Sequence, residues 1–196
     1  MNNAVNTGID KARLISLFSS QNILISEAQA EQFTKYAELL VDWNQRINLT
    51  AITEPDEIEE KHFLDSCLPF ADVDIPRGAS VADIGTGAGF PGIPLKILRP
   101  DIDLTLVDSL QKRITFLDTV CAAIGVSAKT IHGRAEELGR LDLRDSFDIA
   151  TARAVARLSV LSEYCLPFVK VGGVFVALKG RDLSLIHISE PTRHSL

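Results

Sequence analysis

The stretch Val81 to Pro94, VADIGTGAGFPGIP, gathers residues able to bring a ligand against bare backbone. An apolar run ends in Asp83. Glycines follow at Gly85, Gly87 and Gly89, and Phe90, Pro91 and Gly92 open the next segment. That order reads as strand, tight turn, helix. Glycine removes the Cβ and accepts positive φ at little cost, so a flat or charged ligand can lie at the carboxyl end of the strand. A dinucleotide fingerprint needs G-x-G-x-x-G, with its last glycine allowing close helix packing and the helix amino end facing a pyrophosphate. Here the third glycine comes one place early and Phe90 holds the expected position. The G-x-G-x-G form with Asp83 two residues ahead suits S-adenosyl-L-methionine, which carries no phosphate, better than NAD.

Further chemistry-bearing residues follow the strand ends. Asp108 stands 23 positions after Gly85, where nucleotide-binding folds place an acid for ribose hydroxyls; the plainer reading is an acidic helix cap ahead of Gln111. Asp83 either meets a ligand ammonium or accepts loop amides as a structural carboxylate. The backbone of Ala135 and the side chain of Glu136 are candidates for the adenine edge, although the pair Glu136-Glu137 also reads as a helix amino end. Arg153 and Arg157 follow a later strand, and a planar guanidinium there can hold a carboxylate, a phosphate or a guanine edge, with a surface ion pair as rival. Arg153 abuts the strand end and is preferred. His62 and Asp65 stand three apart on one expected helix face, a spacing more often local than catalytic. Trp43 to Thr53, WNQRINLTAIT, is rich in amides, and residues such as Asn44 and Asn48 either satisfy buried backbone or touch a ligand. No Ser-His-Asp order, zinc-ligand spacing or phosphate loop occurs.

These residues need elements to hold them. Strands are expected at Ser80–Ile84, Asp103–Val107, Ala128–Ile131, Phe147–Thr151 and Val174–Leu178. Helices are expected at Gly92–Leu98, at Gln111–Ile124 between caps Ser109 and Gly125, and at Leu158 to about Cys165. The alternation implies an α/β fold with a parallel, doubly wound sheet and ligands at the carboxyl ends of its strands. Ahead of it lie helical patterns. Ile9 to Ser20 is short; Ser26 and Gln29 form a capping box before a stripe of Phe33, Ala37, Leu40, Val41 and Asn44; Thr53 with Pro55 opens a third helix carrying Ile58 and His62. Residues 1–70 are thus expected to be a helical cap and 71–180 the core. Arg181 to Leu196, RDLSLIHISEPTRHSL, shows no useful helical or strand periodicity, and within it the run Ser184 to Arg193 resembles a translated adapter. The segment is expected to be a non-native tail in place of a missing carboxyl end, leaving the last strand an unpaired apolar edge.

With 196 residues, 46% of them hydrophobic, the chain can bury one full core plus a helical extension. No apolar run approaches the ~20 residues of a membrane span and no signal pattern opens the chain, so a soluble cytoplasmic protein is expected. Cys67, Cys121 and Cys165 lack metal-ligand or C-x-x-C spacing and are expected to be buried thiols. The net charge of −6 argues against nucleic acid only until its distribution is read. Met1 to Phe70 holds 5 basic and 11 acidic residues, whereas Ala71 to Leu196 holds 15 of each, so the excess lies in the first third. A basic patch on the remainder is permitted.

WNQRINLT, KHFLDS, DIGTGAGFPGIPL, LVDSLQKRITFL, RAEEL, TARAVA and ALKG occur here in the order of the glucose-inhibited division protein B family, which the chain resembles from Ile9 to about Gly180. The combination is specific where G-x-G-x-G alone is not. The family is the bacterial methyltransferase of guanine N7 in 16S ribosomal RNA, so the resemblance implies a class I (Rossmann-like) methyltransferase core with an amino-terminal helical cap, using S-adenosyl-L-methionine. Its substrate would be 16S rRNA or a small-subunit intermediate, met by a monomer. Donor-binding residues carried over are Gly85, Phe90, Ala135, Glu136 and Arg153; His62, Asp65, Asn44 and Asn48 look like pocket or substrate elements. After ALKG the family has a helix and an antiparallel hairpin, from which this chain departs. On residues alone, an NAD-linked oxidoreductase and a non-catalytic donor-binding module remain rivals.

Overall fold

The computed structural model describes residues 8–153, 158–178 and 187–189. Arg157, and the parts of the expected tail at 181–186 and 190–196, lie outside them. Strands β1 (Ser80–Ile84), β2 (Asp103–Asp108), β3 (Lys129–His132), β4 (Phe147–Arg153), β5 (Val169–Leu178) and β6 (His187–Ser189) form one sheet in the order β3-β2-β1-β4-β5-β6. The first five run parallel, and β6 pairs antiparallel with Val174 to Val176 of β5. The expected bare edge on β5 is therefore covered over three residues. β1 lies between β2 and β4, where the strand order reverses, so its carboxyl end opens on the crevice that such sheets offer a ligand.

Both faces of β1 are covered, which is why Val81, Ala82 and Ile84 are apolar without alternation. On one face Val81, Leu104 and Leu106 pack with helices α1 (Lys11–Ser20), α2 (Glu27–Ile47), α5 (Gly92–Leu98) and α6 (Gln111–Ile124), through buried Phe18, Phe33, Tyr36, Leu40, Ile93 and Phe116. On the other, Ala82, Ile84 and Ala150 pack with Leu161 and Cys165 of α8 (Leu158–Cys165), and the short α7 (Ala135–Leu138) closes the edge. Burial of each large α2 side chain contributes about 2 kcal/mol, enough to fix the helix on the sheet.

The Ser26–Gln29 capping box forms in both directions, and Gln29 and Gln32 donate onward to the Ile97 and Ile124 carbonyls, tying α2 to the ends of α5 and α6. Two caps differ from expectation. Glu54, not Thr53, holds the cap position before Pro55, with no side-chain bond. Leu110, not Ser109, precedes α6, where Asp108 supplies the missing acceptor to the Leu110 N–H. From Pro55 the chain winds as α3 (Pro55–Glu57), a π-helical run Ile58–Leu64, α4 (Asp65–Cys67) and a 3-10 turn Leu68–Phe70. Strand β5 begins five residues before the expected Val174, with its register shifting opposite Phe147 to Ile149 of β4. The three cysteines are buried free thiols. Among the described residues no helix is long and apolar enough to cross a membrane, and no cluster of metal-ligating side chains occurs.

Candidate functional site

Gly85, Gly87 and Gly89 all take positive φ, at 66°, 62° and 99°, so each glycine of the motif answers a backbone demand that an L side chain meets only with strain. The turn folds back on β2: the Gly85 and Thr86 N–H groups donate to the Val107 carbonyl at 2.9 and 3.1 Å. Asp83 is wholly buried. Its Oδ2 accepts from Thr86 Oγ1 at 2.6 Å and from the Gly92 N–H at 2.9 Å, while Oδ1 has no partner among the described residues. Gly92 is a requirement that the sequence pattern did not single out. A Cβ there would meet Leu106 Cδ2 at 2.7 Å and Asp83 Oδ2 at 2.8 Å, so Gly92 supplies the close helix–strand packing that dinucleotide motifs draw from their last glycine. Tyr36 was missed as well. Its hydroxyl donates to the Ala88 carbonyl at 2.5 Å and its ring stacks on Phe90 at 5.3 Å, so the amino-terminal helices build one wall of the turn.

Asp108 is nearly inaccessible at 2% exposure. Oδ2 accepts from the Gly87 N–H at 2.9 Å and from Arg113 at 3.3 Å, and Oδ1 accepts from Leu110 at 2.9 Å. The carboxylate thus ties the glycine turn to the entrance of α6, and the helix-cap reading describes part of its work. Two cavities share Gly85, Asp108 and Ser109 and so adjoin at the carboxyl ends of β1 and β2. One, about 300 Å³, is lined by Val107, Ala135, Glu136, Leu161 and Tyr164. The other, about 390 Å³, is lined by Thr50, His62, Gly87, Phe90, Arg113 and Arg153.

Around Phe90 the second cavity is stacked. The His62 ring lies over one region of it at 4.4 Å and 18°, and the Arg153 guanidinium sits 4.5 Å from its centroid. Arg153 is no surface ion pair: it donates to the Lys61 carbonyl at 3.1 Å, to Ser66 Oγ at 3.4 Å and to His62 Nδ1 at 3.1 Å. His62 Nε2 meets Thr50 Oγ1 at 2.7 Å. His62 is therefore linked to Thr50 and Arg153, and its spacing to half-buried Asp65 serves no bond between the two. Burial raises the Asp65 carboxyl above its usual range while the charge of Arg153 opposes that. Asn44 bonds nearby backbone: Oδ1 accepts from the Leu49 and Thr50 N–H groups and Nδ2 donates to the Thr50 carbonyl. Asn48 is exposed and closes α2 at φ 31°. Ala135 and Glu136 line the first cavity, and Glu136-Glu137 also occupy the first turn of α7.

Two buried titrating groups oppose each other in pH. Burial pushes the Asp83 carboxyl up to about 6, against the pull of Thr86 and Gly92, so between its ordinary 3.8 and about 6 the folded chain holds a proton the unfolded chain has released. Its contribution to stability falls as pH rises through that window. Burial, then the charge of Arg153, pushes His62 down to about 3 from 6.5, so the unfolded chain takes up a proton first and stability falls as pH drops below 6.5. The His62 shift is the larger. Replacing His62 with glutamine is expected to flatten the acid side of the stability profile, sparing up to about 2 kcal/mol near pH ~5. Urea midpoints at about pH 7.5 and 5 check it; equal acid losses in both proteins would refute the assignment.

Comparison with known proteins bears on what this crevice serves. The family model described as GidB, rRNA small subunit methyltransferase G, matches residues 29–191. Ribosomal RNA small subunit methyltransferase G of Exiguobacterium sp. is 48% identical over 178 residues, 90% of this chain and 75% of that protein. The protein of the same name from Clostridium beijerinckii is 54% identical over 158 residues, 80% of this chain and 66% of its own. The chain thus spans about two thirds to three quarters of these relatives' length. Among solved structures, a Methanococcus maripaludis protein provisionally described as an S-adenosyl-L-methionine-dependent methyltransferase superposes with a TM-score of 0.56 at 14% identity, covering 76% of this chain and 64% of its own. One from Staphylococcus aureus, provisionally described as a caffeoyl-CoA O-methyltransferase, gives 0.52 at 17%, covering 85% and 71%. At these identities the likeness establishes the fold, that of class I Rossmann-like methyltransferases. Sequence, order of motifs and fold agree, and the chain belongs to the GidB family of small-subunit ribosomal RNA methyltransferases.

Proposed function

We propose that this chain methylates N7 of a guanine in 16S ribosomal RNA, with S-adenosyl-L-methionine as donor, acting as a cytoplasmic monomer on the RNA or on an assembling small subunit. The carrying observation is the pair of adjoining cavities that meet at Gly85, Asp108 and Ser109. Two adjoining spaces suit a two-part ligand. The lobe with Val107, Leu161 and Tyr164 suits a nucleoside, with Ala135 and Glu136 at its adenine edge and Asp108 beside the ribose; the lobe with Gly87, Phe90 and Arg153 suits an amino-acid end and the base to be modified. The open side of Gly87 is a cradle that a Cβ would narrow, since among the described residues its nearest neighbour, the Gly85 carbonyl, is 4.0 Å away.

When bound, the donor supplies a methyl group made electrophilic by a sulfonium. Guanine N7 carries a lone pair and no proton, so the protein needs no general base for the transfer. The cavity's side chains are in keeping with that. His62 has both ring nitrogens engaged and Asp108 has both oxygens engaged, so neither is poised to collect a proton. What the chain contributes is alignment and exclusion of water: Phe90, backed by Tyr36 and His62, forms a rigid wall, and Arg153 locks that wall to the π-helical segment. N7 lies in the deep, narrow groove of A-form RNA, so the target base must be unpaired or splayed out.

The test is transfer of tritiated methyl to small-subunit RNA and to small subunits from cells lacking the modification, with the product nucleoside identified by mass spectrometry after digestion. N7-methylguanosine at one position is the expected product. Label on another atom, label on no RNA, or binding of NADH in place of S-adenosylhomocysteine would each overturn the reading.

A further inference from the structure

The hydrogen-bond chain at the second cavity has a fixed direction. A guanidinium donates and never accepts, so the 3.1 Å contact from Arg153 requires a lone pair on His62 Nδ1. Burial keeps the imidazole neutral, with its pKa down to about 3, and the guanidinium at Nδ1 favours its single proton on Nε2 over a bond to the Lys61 carbonyl, which the ring also approaches. Nε2 lies 2.7 Å from Thr50 Oγ1 and donates to it. The same oxygen accepts from the Ile52 N–H at 3.0 Å. Both acceptor positions of the hydroxyl are filled, and what it has left to offer is its hydrogen. Asn44 clamps the backbone beneath, bonding the Thr50 N–H and carbonyl at 2.9 Å each, so the hydroxyl is held in place on the cavity wall beside Phe90 and Arg153.

We propose that Thr50 is a specificity-determining residue, fixed by the Arg153–His62 relay as a hydrogen-bond donor to an acceptor oxygen of the ligand in the second cavity. This rests on reading that cavity as part of a methyl-transfer site. Two oxygens there share the chemistry: the carboxylate of the donor's amino-acid end, and O6 beside N7 of guanine. Were the oxygen O6, adenine would be refused, because it presents an N6–H₂ donor at that place and would face Thr50 donor to donor.

Three measurements test the proposal. In the wild-type protein, ¹⁵N shifts of His62, assigned by their loss in H62Q, are expected to show Nε2 protonated and Nδ1 bare; this stands whatever the variants do. Thr50→Val is expected to lose about tenfold in binding or turnover, and Thr50→Ser to recover to within about threefold, with thermal unfolding confirming that each folds. The source of the oxygen is then read by ligand. A loss on S-adenosylhomocysteine but not on 5′-methylthioadenosine assigns the carboxylate; unchanged affinity for both with a raised KM for RNA assigns O6. A proton on Nδ1, a T50V protein equal to wild type, or a T50S protein as poor as T50V would overturn the role. Wild-type protein that binds no S-adenosylhomocysteine would instead bring down the methyl-transfer reading on which it rests.

Discussion

Arg153→Ala is expected to lower kcat/KM for methyl transfer by at least about 100-fold, corresponding to ~2.7 kcal/mol of transition-state stabilisation. One guanidinium holds four things together: the Lys61 carbonyl, Ser66 Oγ, His62 Nδ1 and the face of Phe90. Without it the acceptors on buried Ser66 and His62 lose a charged donor, at about 1–3 kcal/mol each, and the wall of the second cavity loses its tie to the Lys61 carbonyl of the π-helical segment. Global stability is expected to change less than the site does, because removing a buried cation also removes its desolvation cost. Lysine is a poor substitute, since a point charge cannot fork to three acceptors and lie flat on an aromatic ring. A second readout separates the site from the fold. The charge of Arg153 is one of the causes that lower His62, so in R153A the imidazole is expected to titrate above its wild-type value of about 3, visible by NMR. If R153A transferred methyl within about threefold of wild type and left His62 unmoved, Arg153 would have no place in the site.

The sequence announces some of this arrangement and conceals the rest for physical reasons. Glycines at Gly85, Gly87 and Gly89 are legible because positive φ has a residue preference, and β1 because a strand buried on both faces leaves Val81, Ala82 and Ile84 apolar without alternation. Asp108 is legible as a position and ambiguous as a role. Spacing places an acid at the end of β2, and only the folded turn shows that its oxygens go first to Gly87, Leu110 and Arg113. Thr50 gave no signal, because a threonine in a loop acquires meaning only from His62, twelve residues on, once the π-helical run brings its ring back. Tyr36 could have been found. It stands three residues after Phe33 on the buried stripe of α2, and a phenol there must find an acceptor, which Ala88 supplies. The start of β5 was hidden by Gly172 and Gly173, which interrupt the apolar pattern and in the fold mark an irregular strand; a Cβ at Gly173 would meet the Asp148 carbonyl at 2.6 Å.

Two glycines of one turn are expected to fail in opposite ways when given a methyl group. Gly89→Ala acts on the fold. At φ 99° the new Cβ would meet both Ile93 Cδ1 and the Tyr36 hydroxyl at 2.6 Å, and both partners are buried, Tyr36 being bonded to Ala88 as well. Left-handed strain of about 1–2 kcal/mol adds to overpacking of about 1–3 kcal/mol, so the melting temperature is expected to fall by on the order of 10 °C. Gly87→Ala acts on the ligand. It carries similar backbone strain at φ 62°, worth a drop of a few degrees by the same conversion, but its Cβ clashes with nothing among the described residues and narrows the cavity that Gly87 lines. Affinity for S-adenosylhomocysteine is expected to fall more than about tenfold in G87A while the chain stays folded. Thermal unfolding and titration calorimetry on the two variants read the contrast directly. A G89A protein melting with wild type would mean that the turn is not packed against the amino-terminal helices, and a G87A protein binding as wild type would mean that the ligand does not come against this backbone.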